Sequence, residues 1–391
     1  MTPRVYLDYA ATTPVDERVL DAMLPYLKDD FGNPSSLYAE GRAARAALEE
    51  ARECVASLIG AAHPNEVAFT AGGTEGDNAA IIGIAHRARP ERGHVVISAF
   101  EHHAVLEAAD RLQKQGWDVT RLRPDACGIV QPGSLAKAMR DDTTIVAVMH
   151  ANNELGTVQP VRKLAEISHE GGAYFHTDAA QSLGKIPFDV DDLAVDSAAF
   201  SGHKIYAPKG TGALFVRRRT PFEPLIVGGG QEFKKRSGTQ SVAGAVAFAT
   251  ALQIMLESRL EEEKRLGLLR DRIVTDVIAR IEGARETVST EQRLPNIAHL
   301  IFSGTEGEAL LLQLDEAGIA VSTGSACSSG STEPSHVLSA IGCPIDDAHA
   351  SIRVSVGRYT TADDVDCFLE ILPGIVERLR SLSPEARRGR A

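Results

Sequence analysis

The sequence predicts an α/β fold built around a mostly parallel sheet. Short apolar runs, each about as long as one strand, alternate with segments of helical periodicity through the first half of the chain. Polar side chains follow several of these runs, at the positions where parallel strands present their carboxyl ends to a ligand. The length of 391 residues allows more than one domain and a large buried core.

The composition narrows the classes of partner and the cell compartment. The net charge of −12 disfavours a nucleic-acid partner or an anionic membrane surface. No apolar run approaches the roughly 18 residues of a membrane-spanning helix, and the N-terminus carries no apolar signal region. The five cysteines include no Cys-x-x-Cys pair, which favours free thiols in a reducing compartment and no metal site. We therefore expect a cytoplasmic protein without a membrane or nucleic-acid partner.

A glycine-rich turn between a strand and a helix is the first element of the predicted site. Residues 66–70 indicate a strand, residues 71–78 the turn, and residues 79–84 the apolar start of a helix. Free backbone N–H groups and the positive end of the helix dipole bind anions at such a turn, where Thr74 adds a hydroxyl beside Gly73. The turn matches neither the dinucleotide nor the nucleoside triphosphate pattern. It predicts a phosphate cup of another kind, with a tight turn that simply requires glycines as the alternative.

Polar residues also follow the later strands of the predicted sheet. After a helix at residues 42–59 and the strand at 66–70, strands are predicted at residues 94–98, 118–122, 144–149, 173–176, 197–200 and 212–216. The polar residues at or after their carboxyl ends are His102, Asn153, Asp178, Gln181, Ser201, His203 and Lys204. A lone lysine in such a place is more often solvated than functional. Together with the phosphate cup, however, an aromatic base, a carboxylate and a lysine match pyridoxal phosphate, which needs an amine for its aldehyde, a carboxylate for its ring nitrogen and a helix start for its phosphate.

These motifs resemble those of the cysteine desulfurases (NifS/IscS-like, group I), which belong to the class V aminotransferase family and to fold type I of the pyridoxal-phosphate enzymes. The similarity extends over essentially the whole chain. It implies a mostly parallel seven-stranded sheet in a large domain of residues 13–255. It also implies a smaller α+β domain formed by residues 1–12 and 256–391.

The resemblance assigns roles around the cofactor ring. Lys204 is expected to form a Schiff base with the cofactor aldehyde and later to carry a proton. Asp178 is expected to pair with the pyridine nitrogen and Gln181 to hydrogen-bond the phenolic oxygen. His102 is expected to stack on the ring and to act as an acid or base, and Asn153 is expected to contact the cofactor as well as the substrate.

The resemblance also indicates which residues bind the cofactor phosphate and the substrate. The phosphate is expected to be held by the Gly73 backbone with Thr74, Ser201 and His203. Thr239 of one subunit is expected to reach the phosphate of the other subunit, which implies a homodimer. The L-cysteine substrate is expected to be bound by Asn153, Arg353 and Asn33.

A run of small polar residues around Cys327 points to the reaction. Residues 321–332 offer no periodic apolar face, so we expect a mobile loop, at about 321–333, with an exposed thiol at its centre. The resemblance implies that Cys327 attacks the sulfur of the bound cysteine and keeps it as a persulfide while L-alanine forms. The sulfur would then pass to an acceptor such as an iron–sulfur scaffold protein or a tRNA-thiolation protein.

The second half of the chain predicts the smaller α+β unit. A long helix is expected over residues 252–281, and another follows residue 363. Between them the sequence predicts a strand at 296–302, a helix at 306–317 and a strand at 350–355. One departure from the family is the pair Gln240-Ser241, where many relatives carry an asparagine.

Two other classes of function stay open from the residues. The first is a selenocysteine lyase or another pyridoxal-phosphate lyase, which Cys327 disfavours but does not exclude. The second is a non-catalytic scaffold, which predicts the loss of Lys204, Asp178 or Cys327. All three residues are present.

Overall fold

The structure is a computed structural model that describes residues 4–89, 91–323 and 334–382. Its strands are β1 Val5–Tyr6, β2 Val67–Thr70, β3 His94–Ser98, β4 Asp118–Leu122, β5 Thr143–Ala147, β6 Tyr174–Asp178, β7 Ser197–Ser201, β8 Gly212–Val216, β9 Ala284–Glu286, β10 Ile297–Phe302, β11 Ile319–Ala320 and β12 Ser351–Ser355. Its α-helices are α1 Glu17–Met23, α2 Pro25–Lys28, α3 Ala39–Leu58, α4 Gly73–Ala88, α5 His103–Lys114, α6 Pro132–Ala138, α7 Val161–Glu170, α8 Val242–Glu257, α9 Arg259–Arg280, α10 Gly307–Glu316, α11 His336–Ala340, α12 Ile345–His349 and α13 Ala362–Leu382. Short 3-10 turns occupy Pro64–Glu66, Gly202–Lys204 and Glu232–Lys234.

A seven-stranded sheet forms the centre of the fold, with the strand order β2-β8-β7-β6-β5-β3-β4. Five of the strands, from β7 across to β4, pair in parallel, whereas β8 runs antiparallel to both of its neighbours. The prediction of a mostly parallel sheet is therefore confirmed. Because the strands run in parallel, their carboxyl ends meet at one edge of the sheet, where the polar residues of the sequence patterns gather.

Helices cover both faces of this sheet. On one face Val96, Val146 and Phe175 pack into one hydrophobic cluster, and on the other face Val95 and Ile145 pack into a second one. Neighbouring residues along a strand enter different clusters because successive side chains point to opposite faces. Strands buried on both faces read as continuous apolar runs, and this explains why the central strands were visible in the sequence.

A second group of elements has its own hydrophobic cluster. The antiparallel sheet β12-β10-β9 and the short parallel pair β1-β11 pack with α9, α10 and α13 around residues such as Leu300, Phe302, Ile352 and Phe368. Both ends of the described chain contribute, since Leu7 joins this cluster. The division of the chain into domains at residues 13–255 and the remainder stays a prediction.

The predicted long helix over residues 252–281 is wrong, since two helices occupy this region. Helices α8 and α9 are separated at Ser258, whose backbone (φ −101°, ψ 2°) leaves the helical region. The Ser258 hydroxyl donates to the carbonyl of Ile254 at 3.0 Å, and such side-chain bonds compete with the helix ladder. The other expected helices and strands of the second half are confirmed. No helix among the described residues has the length and apolar composition needed to cross a bilayer.

Candidate active site

A cavity of about 610 Å³ opens at the carboxyl edge of the seven-stranded sheet. Most of the residues selected from the sequence line it: Gly73, Thr74, His102, Asn153, Asp178, Gln181, Ser201, His203, Lys204 and Arg353. These residues come from the ends of five strands, β2, β3, β5, β6 and β7, and from the smaller three-stranded sheet. The fold thus brings the predicted site residues together in one place, although their roles stay predictions.

The glycine-rich turn after β2 forms an anion-binding wall of the cavity. Gly72 adopts φ 154° and ψ −177°, a conformation that is essentially restricted to glycine, and α4 begins at the next residue. A Cβ added at Gly212 would lie 2.6 Å from the Gly72 Cα, so the close approach of the two chains requires glycine at position 212. The first N–H groups of α4, from Gly73 onwards, have no partner within the helix and lie at the positive end of its dipole.

His203 lies beside this turn as a neutral side chain. Burial, with the positive charge of Lys204 as the next cause, lowers the pKa of His203 to about 4. Its Nδ1 lies 3.1 Å from the Thr12 hydroxyl. A neutral imidazole can donate a hydrogen bond to an anion without adding a second charge next to Lys204.

Lys204 ends the short turn that follows β7. Its Nζ donates to the carbonyl oxygens of Ala10 at 2.6 Å and Ala11 at 2.7 Å. The chain near the N-terminus therefore holds the amine at the cavity wall. An amine held in this way, half-buried and at the end of a central strand, is suited to Schiff-base chemistry.

The floor of the cavity is formed by Asp178 and Gln181. Asp178 ends β6, is 7% exposed and accepts the N–H of Ala180 at 2.8 Å. Burial raises the pKa of Asp178, and the nearby His102 and Lys204 act in the opposite direction. A buried carboxylate in these surroundings is stabilised by a cationic partner such as a protonated ring nitrogen.

Gln181 offers a polar atom that the protein itself leaves unpaired. Its Nε2 donates to the Ala10 carbonyl at 3.0 Å, whereas its buried Oε1 makes no hydrogen bond within the described residues. Buried polar atoms are normally hydrogen-bonded, so an unpaired one that lines a cavity indicates a polar ligand there. With the anion-binding turn, the amine and the carboxylate, this atom makes the cavity fit pyridoxal phosphate.

His102 is oriented by the helix that it caps. Its Nδ1 accepts the N–H of Ala104 at 3.1 Å, so a neutral ring carries its proton on Nε2. Burial lowers the pKa of His102, with Asp178 opposing and Lys204 reinforcing this shift. The ring is therefore available at neutral pH as an uncharged face and as a proton donor or acceptor.

Two buried carboxyl groups behind the site were missed by the sequence reasoning. Glu101 accepts the Ser98 hydroxyl and the Met149 N–H at 2.8 Å, and burial raises its pKa to about 8. Asp77 lines the cavity from α4, lies 3.2 Å from the Nε2 of His176, and has a pKa that burial raises well above its usual value. An acidic residue inside the apolar face of a helix was the signal that could have identified Asp77.

Arg353 and Asn153 meet at the opposite wall. The Nη1 of Arg353 donates to the Asn153 carbonyl at 2.8 Å, and its Nη2 donates to Asp8 at 2.8 Å. The arginine is 2% exposed. The sequence reasoning assigned no role to Asp8, since this residue stands in a short extended segment near the N-terminus and its partner Arg353 lies 345 positions away.

Three predicted residues are not placed in this cavity. The side chain of Asn33 accepts the N–H of Ser35 at 2.9 Å in a loop of its own. Thr239 is absent from the lining of the cavity, and its expected contact with a second subunit stays a prediction. Cys327 lies outside the described residues.

Comparisons with known proteins identify the family. The family model described as aminotransferase class-V matches residues 5–368. The chain belongs to the class-V aminotransferases. Among the curated members, "Cysteine desulfurase IscS" of Dictyoglomus turgidum is 49% identical over 98% of this chain and 97% of the relative. "Cysteine desulfurase IscS 1" of Archaeoglobus fulgidus is 46% identical over 98% of this chain and 100% of the relative.

Solved structures of similar proteins have the same fold. A structure described as "NIFS-LIKE PROTEIN" is 38% identical with a TM-score of 0.90, and covers 96% of this chain and 100% of its own. Another, "SspA in complex with cysteine", is 36% identical with a TM-score of 0.80, and covers 91% of this chain and 99% of its own. The fold-type prediction is thereby confirmed. The family is dependent on pyridoxal phosphate, which the cavity fits.

Proposed function

We propose that this protein is a pyridoxal-phosphate-dependent cysteine desulfurase that converts L-cysteine to L-alanine. The observation that carries the proposal is the single cavity in which Lys204, Asp178 and the turn at Gly72 face Arg353. These residues offer binding partners for a cofactor and for the carboxylate of an amino acid in the same cavity. The relatives named cysteine desulfurase match nearly the whole chain, and one related structure was determined with cysteine.

The residues of the cavity would hold the cofactor from three sides. The Gly73 N–H group with Thr74, Ser201 and His203 would hold its phosphate. Asp178 would pair with its ring nitrogen, Gln181 would contact its phenolic oxygen, and the face of His102 would lie over its ring. When bound, pyridoxal phosphate supplies a ring that accepts electrons from the amino-acid carbon atoms.

The protein residues then bind the substrate and move protons. The guanidinium of Arg353 binds the substrate carboxylate through a two-pronged hydrogen bond. The Lys204 amine would move a proton at the substrate Cα. His102, neutral at physiological pH and fixed in one tautomer, holds or releases a proton at its Nε2.

Sulfur transfer is assigned to Cys327. Its thiolate attacks the sulfur of the bound cysteine, so that an S–S bond forms and the C–S bond breaks. The electron pair of the broken bond stays with the carbon fragment, which takes up protons and leaves as L-alanine. The sulfur stays on Cys327 as a persulfide and passes to an acceptor, of which an iron–sulfur scaffold protein or a tRNA-thiolation protein is the expected class.

A homodimer is the second part of the proposal. Exposed apolar side chains are concentrated in two segments, with Phe31 at 74% and Leu37 at 81% exposure in one and Val227 at 78% in the other. The two segments adjoin, since Pro34 of the first and Gly230 of the second line one cleft. Apolar surface of this kind is typical of a subunit interface. A partner seated there would bring Thr239, which does not line the cavity of its own subunit, to the neighbouring cofactor.

The domain division and the compartment belong to the same proposal. The separate hydrophobic clusters of the two sheets support a large domain at residues 13–255 and a small one formed by 1–12 and 256–391, with helices α11 and α12 of the second part packed on the cluster of the large sheet. The described cysteines, Cys54, Cys127, Cys343 and Cys367, are free thiols. Free thiols with a net charge of −12 favour a cytoplasmic enzyme whose partners are proteins rather than membranes or nucleic acids.

One experiment tests the desulfurase activity. The purified holoenzyme is incubated with L-cysteine, and alanine and sulfide are measured in the presence of a thiol. Equal amounts of both products are expected, and Lys204→Ala is expected to lose the lysine-linked absorption band of the cofactor. Cys327→Ala is expected to keep the band and to lose sulfide release. Normal turnover by Cys327→Ala would refute the persulfide step.

The alternatives predict different outcomes. A selenocysteine lyase releases selenide from selenocysteine and leaves L-cysteine intact, and a scaffold binds no cofactor. Transfer of labelled sulfur from the Cys327 persulfide to a purified scaffold or tRNA-thiolation protein identifies the acceptor. Absence of transfer to both classes would refute the acceptor assignment.

A further inference from the structure

The guanidinium of Arg353 lies at the cavity wall on a rigid base. Its side chain is 3% exposed. Its backbone is paired on both sides, with His299 of β10 across the sheet and with Ser322 through hydrogen bonds of 2.7 and 3.1 Å. The backbone of this residue therefore has little freedom, and the direction of the guanidinium depends on the contacts of its nitrogen atoms.

The chain near the N-terminus brings Asp8 to this guanidinium. The carbonyl of Leu7 accepts the N–H of Ser355 at 2.8 Å, and Asp8 forms an isolated parallel bridge with Ser355. The Asp8 carboxylate, whose side chain is 17% exposed, accepts the Nη2 of Arg353 at 2.8 Å. The contact joins two residues that are 345 positions apart in the chain.

The contacts of the other two nitrogens of Arg353 show how strongly the orientation of the guanidinium depends on Asp8. Nη1 donates to the Asn153 carbonyl, and Nε is buried without a hydrogen bond within the described residues. Only the two terminal nitrogens therefore orient the group. Because each terminal nitrogen carries two hydrogens, Asp8 and Asn153 still leave one N–H on each. Two N–H groups are what a single carboxylate needs for a two-pronged contact.

We propose that Asp8 is a positioning residue that sets the affinity of the site for amino-acid carboxylates by holding Arg353. The inference rests on the proposed function, in which Arg353 binds the carboxylate of L-cysteine. A guanidinium that is already oriented and desolvated loses little freedom when a ligand binds, and this preorganisation raises affinity. Without Asp8, the guanidinium keeps one directing contact and can turn away from the ligand.

Asp8 also carries a negative charge, which acts against an incoming carboxylate. The two effects have opposite signs, so the variants separate them. Asp8→Asn keeps an oxygen acceptor for Nη2 and removes the charge, whereas Asp8→Ala removes both. If positioning dominates, Asp8→Ala weakens binding and Asp8→Asn weakens it less. If repulsion dominates, both variants bind the carboxylate more tightly.

The test is a titration of the holoenzyme, followed by the absorption of the cofactor. L-alanine is the carboxylate-bearing probe, and 2-aminoethanethiol is the probe that lacks a carboxylate. For Asp8→Ala the Kd for L-alanine is expected to rise about tenfold, which corresponds to about 1.4 kcal/mol, while the Kd for 2-aminoethanethiol changes by less than about twofold. In steady state the KM for L-cysteine is expected to rise with a smaller change in kcat.

Asp315→Ala is the matched control, since Asp315 forms an exposed ion pair with Arg4 in the same part of the protein. It is expected to behave as the wild type in both titrations. Unchanged or tighter binding of L-alanine by Asp8→Ala would overturn the inference, as would an equal loss for both probes, which indicates general damage to the site. Failure of the wild type to form alanine and sulfide from L-cysteine is a different result and refutes the proposed function instead.

Discussion

A buried ion pair holds the strained segment of residues 232–234, which precedes Thr239, in its conformation. Removing this ion pair tests how much it contributes to the stability of the protein. Glu232, Phe233 and Lys234 are three consecutive residues with left-handed backbone angles, at φ 48°, 54° and 65°. None of them is glycine, so each costs about 1 kcal/mol or more. The Glu232 carboxylate offsets this cost by accepting Arg52 at 2.6 and 2.9 Å and the N–H of Phe69 at 2.8 Å.

The magnitude follows from the burial of both partners. The side chains of Arg52 and Glu232 are each 1% exposed, and the guanidinium lies 5.1 Å from the ring centroids of Phe69 and Phe233. Glu232→Gln keeps the shape but leaves the arginine charge without its main partner, a change that typically costs about 3–5 kcal/mol. Glu49, which lies 3.1 Å from Arg52, retains part of the pairing. We therefore expect a loss of about 3 kcal/mol, at the lower end of that range.

The assay is denaturation of the holoenzyme by urea, followed by circular dichroism, with the midpoint compared at an unchanged slope. The double variant Arg52→Met/Glu232→Gln is expected to recover much of the loss, because an uncharged pair leaves no unpaired charge in the interior. Glu166→Gln is the control, since its ion pair with Arg162 is exposed, and the urea midpoint is expected to stay unchanged. A loss below about 1 kcal/mol for Glu232→Gln, or a double variant no more stable than Glu232→Gln alone, would refute the reasoning.

Two further predictions concern pH and assembly. The hydrogen bond to Asp196 at 2.8 Å raises the pKa of His169. The stability that this pair adds is therefore fully present below the unfolded pKa of about 6.5 and is lost as the pH rises through the higher folded value. We expect His169→Ala to lower the urea midpoint more at pH 6 than at pH 9, and an equal loss at both would contradict this assignment. Phe31 is 74% exposed, and Phe31→Glu is expected to shift the protein from dimer to monomer in sedimentation experiments. Leu260 on α9 is similarly exposed, at 73%, and Leu260→Glu is expected to leave the dimer intact. Equal behaviour of the two variants would argue against the proposed interface.

Much of the cofactor-facing part of the site could be predicted from local patterns. Gly73 and Lys204 stand at the ends of strands that are buried on both faces, and such strands appear in the sequence as short apolar runs. These two strands, β2 and β7, point in the same direction because β8 between them runs antiparallel to both, so their carboxyl ends lie at one edge of the sheet. A polar residue directly after such a run is therefore already located in space, before any long-range contact is known.

The long helix expected over residues 252–281 shows the limit of periodicity. The apolar pattern continues through Ser258 because α8 and α9 both bury hydrophobic side chains, so the pattern alone contains no break. The break comes from a single hydroxyl that bonds to the carbonyl of Ile254. Such local competition is decided by packing around the serine and leaves no periodic signature.

The sequence by itself determined the sheet, the glycine turn and the strand-end residues from Thr74 to Lys204, because each depends on a few neighbouring positions. Only the tertiary structure decided which distant residues control them. Asp8 meets Arg353, and Glu232 meets Arg52, across 345 and 180 positions of the chain. A contact of this kind arises when two elements pack together, and its energy depends on the burial of both partners. Neither the contact nor the burial can be predicted from the residues that neighbour each partner in the sequence.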